Sequence, residues 1–124
     1  MNSPEVTMPY SLPTPGLAAH TKALEAAGLT LKLVSRVPLP FKPIADQAIR
    51  AAASVPANLA EGHGRSGRDR MHHCRIAYDS AKEVDTHLRL LVQAGAVDDS
   101  DATNALDLFD EVRAITWRLL HPAT

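Results

Sequence analysis

Residues 67–94 read GRDRMHHCRIAYDSAKEVDTHLRLLVQA, and this stretch decides the fold class. Apolar side chains recur along it every three or four residues, which is the spacing of one face of an α-helix, at Cys74, Ala77, Ala81, Val84, Leu88 and Leu91. Ser66 followed by Asp69 resembles a capping box at its start, and Gly95 follows its end. The spacing predicts one amphipathic helix about 42 Å long at about 1.5 Å per residue.

Three further segments, before and after this helix, are also predicted to be helical. Residues 17–36 place a stripe of apolar side chains at helical spacing, formed by Leu17, Leu24, Ala27, Leu31 and Val34. A second helix is predicted from about Pro43 to Gly62, with a kink at Pro56, where proline removes a backbone hydrogen bond. The acidic residues within 98–101 favour the start of a last helix. Four helices with short links predict an all-α fold, an antiparallel up-down four-helix bundle.

Length and composition limit the classes of protein that fit. The chain has 124 residues, a 45% apolar fraction and a formal net charge of -1, which fit one domain and argue against nucleic-acid binding through bulk charge. Its single cysteine excludes an intramolecular disulfide, and no run approaches the roughly 18 apolar residues of a membrane span. We therefore expect a cytoplasmic protein with no membrane partner. The predicted domains are a Pro-rich flexible arm over 1–15, extended in conformation, and the bundle over 16–124.

Two blocks of sequence resemble one known family. Residues 53–65 read ASVPANLAEGHGR and resemble the S-I-P-x-N-I-A-E-G-x-G-R signature of the 23S ribosomal RNA intervening-sequence protein family. Residues 76–88 resemble that family's I-A-x-G-S-x-x-E-x-x-x-x-L pattern, with Ser80 and Glu83 at its serine and glutamate positions. Asp79 stands here in place of the usual glycine.

The resemblance implies both a fold and a mode of assembly. It implies a four-helix bundle that self-associates, commonly as a ring-shaped pentamer, with no established enzymatic activity. A related group serves as the accessory protein of diversity-generating retroelements, where a basic pentamer engages a reverse transcriptase and nucleic acid. By analogy only, that group implies a nucleic-acid partner. Two further departures from the family lie at Arg70 and His73, where aromatic residues are usual.

The residues of the signature also have a physical interpretation that does not depend on the family resemblance. Pro56 frees a backbone carbonyl inside the second helix, and Asn58 or Ser54 is the nearest polar side chain that can serve as a partner. These three residues are therefore predicted to have a structural role around the kink.

Glu61 occupies an unfavourable position for an anion. It precedes Gly62 at the end of the second helix, where the helix dipole is negative. We expect its carboxylate to pair with Arg65 or with Ser80 of the next helix. Structural pairing is favoured over a binding role for Glu61 and for the rest of the motif.

A basic segment is the sharpest local charge feature. Between His63 and Arg75 it has a net charge of +3, because one acid, Asp69, accompanies four arginines, and its members are Arg65, Arg68, Arg70 and Arg75, with His72 between them. Six acids and no Lys or Arg lie within 98–111. Two interpretations stay open: the arginines bind phosphates of a nucleic acid, or they pair with the acidic segment of a neighbour or with a protein partner.

Other chemistry-bearing residues favour structural roles. Glu83 and His87 lie four residues apart and offer two ligands to an ion, whereas a catalytic zinc usually has three protein ligands. Cys74 falls on the apolar stripe, as does Tyr78, so both are predicted to be core residues. Trp117 is predicted either to anchor an interface or to complete the core. We expect no catalytic residue, cofactor or metal.

The function predicted from the sequence is a non-enzymatic four-helix bundle that assembles with itself into a ring and presents repeated surfaces to a protein partner. The alternative is an accessory protein that binds RNA or DNA through the basic segment. A metal-dependent enzyme is the third and least favoured class.

Overall fold

The computed structural model describes residues 15–123. Its helices are α1 (Pro15–Val34), α2 (Lys42–His63), α3 (Gly67–Gln93) and α4 (Asp99–Leu120), and one 3₁₀ turn (Leu39–Phe41) precedes α2. No strand occurs within these described residues, so the predicted all-α fold with four helices is confirmed. Most of the predicted arm over 1–15 lies outside the described residues, and Pro15 begins α1.

Of the two end signals predicted for α3, the structure confirms the one at its C-terminus. Gly95 adopts a φ of 77°, the left-handed conformation that ends many helices, and the Ala96 amide donates to the Leu91 carbonyl at 2.9 Å. Ser66 is the N-cap residue, but its side chain caps no backbone amide in the described part of the chain. The predicted capping box with Asp69 is therefore wrong, because the Asp69 carboxylate instead accepts a hydrogen bond from Arg65 at 3.4 Å.

Each helix packs against its neighbours in sequence, and α1 packs against α4. The links between helices are short, so successive helices run in opposite directions. The last turn of α1 and the first residues of α4 line one cleft, which places these two ends side by side. The result is the predicted antiparallel up-down bundle, in which the start of α3 and the start of α4 lie at opposite ends.

The core residues that α1 and α2 contribute are mostly alanines, whereas α3 and α4 contribute larger side chains. Phe109, Leu88 and Leu91 are the largest of the fully buried side chains. The apolar face of α2 is buried and includes Ala45, Ala48, Ala52, Val55 and Leu59. Pro56 is also buried within α2, and the helix continues past it to His63. Within residues 15–123, none of the helices combines the length and apolar character that a membrane crossing requires.

The predicted apolar stripe of α1 is partly wrong. Ala27 and Val34 are buried as expected, but Leu24 is 54% exposed and Leu31 is 42% exposed. The buried face is instead formed by small side chains, namely Ala19, Ala23, Ala26, Ala27 and Thr30. Small side chains let α1 approach its neighbours closely, and the buried Thr30 hydroxyl donates to the Ala26 carbonyl at 2.8 Å. The helix therefore turns Leu24 and Leu31 outward, while Leu29 and Leu33 pack partly buried against the core.

One buried carboxylate links α3 to α4. Asp85 is buried, and its Oδ1 accepts a hydrogen bond from Arg89 Nε at 2.7 Å. Its Oδ2 lies 3.6 Å from Nη2 of Arg113 on α4, and Arg113 also pairs with Asp110. Asp85 therefore contacts one cation on its own helix and one on α4. A buried anion needs such cationic partners to offset its desolvation.

Candidate functional site

A row of hydrogen-bonded side chains joins α2 to α3. Ser54, Asn58 and Gly62 recur every four residues and so share one face of α2. The Asn58 Nδ2 donates to the Ser54 carbonyl at 2.9 Å and lies 3.1 Å from the Ser54 hydroxyl. From α3, the Ser80 hydroxyl donates to the Ser54 hydroxyl at 2.9 Å. We call this row the α2–α3 seam.

The seam extends to His73, which the sequence analysis did not assign to it. Nδ1 of His73 lies 3.0 Å from Oδ1 of Asn58. One turn further along α2, a Cβ built on Gly62 would lie 3.0 Å from the His73 Cβ, so the two helices are in close contact there. The four-residue spacing of Ser54, Asn58 and Gly62 was the available signal. The partner on α3 depends on the register between helices, which the spacing does not give.

Glu61 makes one of its two predicted contacts. Its Oε2 lies 3.1 Å from Nη2 of Arg65, and the hydrogen bond with Glu61 is the largest cause that raises the pKa of the Arg65 guanidinium. The Ser80 hydroxyl points to Ser54 in the seam instead. Arg65 also reaches Asp69, with Nη1 3.4 Å from Oδ2. The first arginine of the basic segment is therefore held between two carboxylates.

The other arginines of the basic segment have different surroundings. Arg68, His72 and Arg75 are exposed, and their spacing of four and three residues places them on one row of α3. Arg70 is half-buried and lines a cleft of about 300 Å³ with Met71, Cys74 and Leu119. The structure thus brings Arg68, His72 and Arg75 together and separates them from Arg65 and Arg70.

The acidic segment is partly neutralised within the chain. Glu111 pairs with Lys22 of α1, with Oε1 2.8 Å from Nζ, and Asp110 pairs with Arg113. The acids that begin α4 lie at the end of the bundle away from the basic segment. Pairing between these first acids of α4 and the basic segment therefore requires a second molecule.

Glu83 and His87 lie within reach of one another. Oε2 of Glu83 is 3.6 Å from Nε2 of His87. Over the described residues, no group of three His, Cys, Asp or Glu side chains is arranged to hold a metal ion. Cys74 is buried as predicted, and burial is the main cause that raises the pKa of its thiol. A raised pKa keeps the thiol protonated and weakly nucleophilic.

A surface on α1 combines apolar and charged residues. Its members are exposed, lie on the side away from the buried face of α1, and are Leu24, Glu25, Gly28, Leu31 and Lys32. We call this surface the α1 ridge. Its two leucines are core-type residues that this bundle does not bury.

A groove on α3 and α4 carries the exposed aromatic residue of the bundle. It has a volume of about 520 Å³ and is lined by Tyr78, Asp110, Arg113, Ala114, Trp117 and Arg118. Trp117 is 48% exposed, and its ring stacks on His121 with centroids 4.3 Å apart. Tyr78 is half-buried rather than a core residue, because its ring forms one wall of this groove. We call this surface the α4 groove.

Comparison with known proteins assigns the chain to a family. The family model described as 23S rRNA-intervening sequence protein matches residues 17–118. The chain belongs to this family. A crystal structure of a protein with unknown function from the S23 ribosomal protein family of Bacteroides thetaiotaomicron has a TM-score of 0.78 and 20% sequence identity. The match covers 86% of this chain and 98% of that chain. None of the curated proteins matches the sequence.

The intervening-sequence protein family is of unknown function, and the likeness to the solved structure shows the shared four-helix fold. In this member, the residues that resemble the family signature form the α2 side of the α2–α3 seam. Ser54 and Asn58 supply its hydrogen bonds, and Gly62 allows the close approach of α3. The signature residues therefore take part in a packing contact between α2 and α3, whereas the sequence analysis placed Ser54 and Asn58 around the Pro56 kink and Gly62 at the end of the helix.

Proposed function

We propose that this protein is a non-enzymatic, self-assembling four-helix bundle that acts in the cytoplasm as a scaffold or partner-binding module. The observation that carries the proposal is the exposure of Leu24 and Leu31 on α1, at 54% and 42%. Leucines that recur every seven residues on one helix face are typical of a helix–helix contact. Since this face is turned away from its own core, a second protein surface is its natural partner.

A second exposed apolar surface supports assembly in a ring. The α4 groove holds Trp117, and tryptophan is enriched where protein surfaces meet. A ring requires two different surfaces on each subunit, because its contacts are heterologous. The α1 ridge and the α4 groove are two such surfaces. The pentameric count comes from the family resemblance and is part of the proposal.

Native mass spectrometry of the purified full chain at micromolar concentration tests the proposal. The expected result is one closed homo-oligomer with a single subunit number, free of nucleotide and metal. Sedimentation velocity over a range of concentrations then checks that the species persists in solution. A protein that stays monomeric at these concentrations contradicts the proposal.

Nucleic-acid binding is the second candidate, and the exposed row of Arg68, His72 and Arg75 favours it. No described acid lies within ion-pair distance of Arg68 or Arg75. Such a row can contact successive phosphates. A ring would repeat it once per subunit.

Fluorescence anisotropy with labelled single-stranded RNA tests this second candidate. The logarithm of the binding constant is expected to fall with the logarithm of salt concentration, with a slope of about -0.7 for each phosphate contacted. Replacement of Arg68 and Arg75 by alanine should weaken binding, whereas Arg36→Ala at the far end of the bundle should not. Binding that is insensitive to salt, or equal loss in both variants, contradicts the candidate.

A further inference from the structure

We propose that the α1 ridge of one copy docks into the α4 groove of the next copy, with the two helices antiparallel. This inference rests on the proposed self-assembly and names the two surfaces that would carry it. The contact would place Leu24 beside Trp117 and the charged residues of the ridge beside those of opposite sign in the groove.

The ridge has the shape that a helix contact requires. Gly28 is exposed, and apart from its chain neighbours and the backbone of its own helix no described atom lies within 4 Å of the position that a Cβ would take. A partner helix can therefore approach the backbone closely at this point. Leu24 and Leu31 lie on either side of Gly28 and provide apolar area next to the close approach.

The groove contains a matching small residue. Ala114 is exposed and lines the groove, with Trp117 one turn further along α4. Tyr78 forms the wall on α3. A helix that places Gly28 against Ala114 would bring two small residues to the point of closest approach and Leu24 to the aromatic side chains.

The charges at the ends of the two surfaces decide the direction of docking. On the ridge, Glu25 and Lys32 are seven residues apart, or about 10 Å along the helix. In the groove, Asp110 and Arg118 are eight residues apart, or about 12 Å. Arg113 also lines the groove and pairs with Asp110, so Arg118 is the cation at the other end. With the helices antiparallel and Gly28 on Ala114, Glu25 faces Arg118 and Lys32 faces Asp110.

The opposite direction brings like charges together. In a parallel arrangement with the same central contact, Glu25 faces Asp110 and Lys32 faces Arg118. Facing like charges suppress an arrangement, while facing opposite charges fix its register. Because both surfaces belong to the same chain, the complementarity identifies a second copy as the occupant. Each copy offers one ridge and one groove, so the contact repeats from copy to copy and forms a ring when the rotation between copies closes.

Mixing two variants tests the contact directly. Leu24→Glu disables the ridge and Ala114→Arg fills the groove, and each variant alone is expected to be monomeric. Their mixture should form a 1:1 dimer and stop there, because one intact ridge and one intact groove remain between them. The dissociation constant of each variant with itself should rise roughly 30-fold or more, as at an interface hot spot.

Two matched controls separate this contact from a general effect of surface charge. Leu90 is 49% exposed on α3, outside both surfaces, so Leu90→Glu introduces the same change as Leu24→Glu. Ala57 is exposed on α2, so Ala57→Arg matches Ala114→Arg. Both controls should retain the subunit number of the unmodified protein.

A charge exchange keeps the test valid if either bulky variant folds poorly. Glu25→Arg alone and Arg118→Glu alone should each weaken assembly, whereas the double variant should restore it. Circular dichroism of every variant checks that the helices persist.

The outcomes distinguish this inference from the proposed function. A monomeric unmodified protein overturns both. Retention of the oligomer by Leu24→Glu and by Ala114→Arg overturns the docking inference and leaves self-assembly standing. Loss of assembly in Leu24→Glu alone, with Ala114→Arg unaffected, indicates a two-fold contact between α1 helices and also overturns docking into the groove.

Discussion

Replacement of Asn58 by alanine should destabilise the bundle by about 2 kcal/mol. The side chain takes part in three polar contacts, to the Ser54 carbonyl at 2.9 Å, the Ser54 hydroxyl at 3.1 Å and the His73 ring at 3.0 Å. Each such contact contributes about 1 kcal/mol to stability. Because the seam is only partly buried, water can form some of the hydrogen bonds that Asn58 no longer makes. The higher helix propensity of alanine offsets a further few tenths of a kcal/mol.

Urea unfolding followed by circular dichroism measures this change, with subunit concentration held constant because assembly adds to apparent stability. Asn104→Ala supplies a matched control, since Asn104 is exposed within α4. We expect Asn104→Ala to change the free energy of unfolding by less than about 0.5 kcal/mol. If the two variants are equally stable, the seam does not hold α2 to α3.

A double-mutant cycle isolates the contact between the two helices. His73→Ala alone, Asn58→Ala alone and the double variant should yield a coupling free energy of about 1 kcal/mol, since the two side chains share one hydrogen bond. Additive effects would mean that the contact between His73 Nδ1 and Asn58 Oδ1, 3.0 Å apart, adds nothing to the free energy of unfolding. The seam would then consist of Ser54, Asn58 and Ser80.

Three further predictions concern packing, the buried charge and the thiol. Gly62→Ala should destabilise by about 1 kcal/mol, because the new Cβ would lie 3.0 Å from the His73 Cβ, crowding that costs about 2 kcal/mol, while the higher helix propensity of alanine offsets about 1 kcal/mol; an unchanged urea midpoint would contradict this. Asp85→Asn should cost about 2 kcal/mol in the same assay, because Arg113 loses its buried partner; a loss below about 0.5 kcal/mol would show that Asp85 carries little of the α3–α4 contact. Cys74, whose pKa is raised by burial, should react with iodoacetamide more slowly at pH 7 than it does after unfolding in urea, and equal rates would show that the thiol is accessible in the bundle.

The periodicity of the sequence predicted the helices, because a 3.6-residue repeat is a local property. The ends of α3 show its limit: Gly95 ends the helix as expected, while Asp69 binds Arg65 rather than capping the helix. The seam depends on the register between α2 and α3, so the sequence singled out Ser54, Asn58 and Gly62 on α2 without predicting that they face His73 and Ser80. Glu61 was predictable because its partner lies four residues away on the same chain.

The error in α1 has the most informative cause. Apolar spacing alone ranks leucine above alanine as a core residue, and on that basis Leu24 and Leu31 were assigned to the core. Inside a tightly packed bundle, however, volume decides, and the buried face of α1 is built from small side chains such as Ala23 and Ala26. The periodicity was therefore correct and its assignment to the core was not.

Two apolar rows on one helix require two packing partners. The alanine row packs against α2 and α4, and its small side chains explain why α1 can approach these helices closely. The leucine row remains on the outside, next to Glu25 and Lys32, where a purely solvent-facing helix would normally carry polar residues. Burying Leu24 against a second copy accounts for the leucine row without altering the core, and it explains why the glycine of this face, Gly28, stands between the two leucines. If Leu24→Glu leaves assembly intact, Leu24 does not contact a second copy and the leucine row is exposed without a partner.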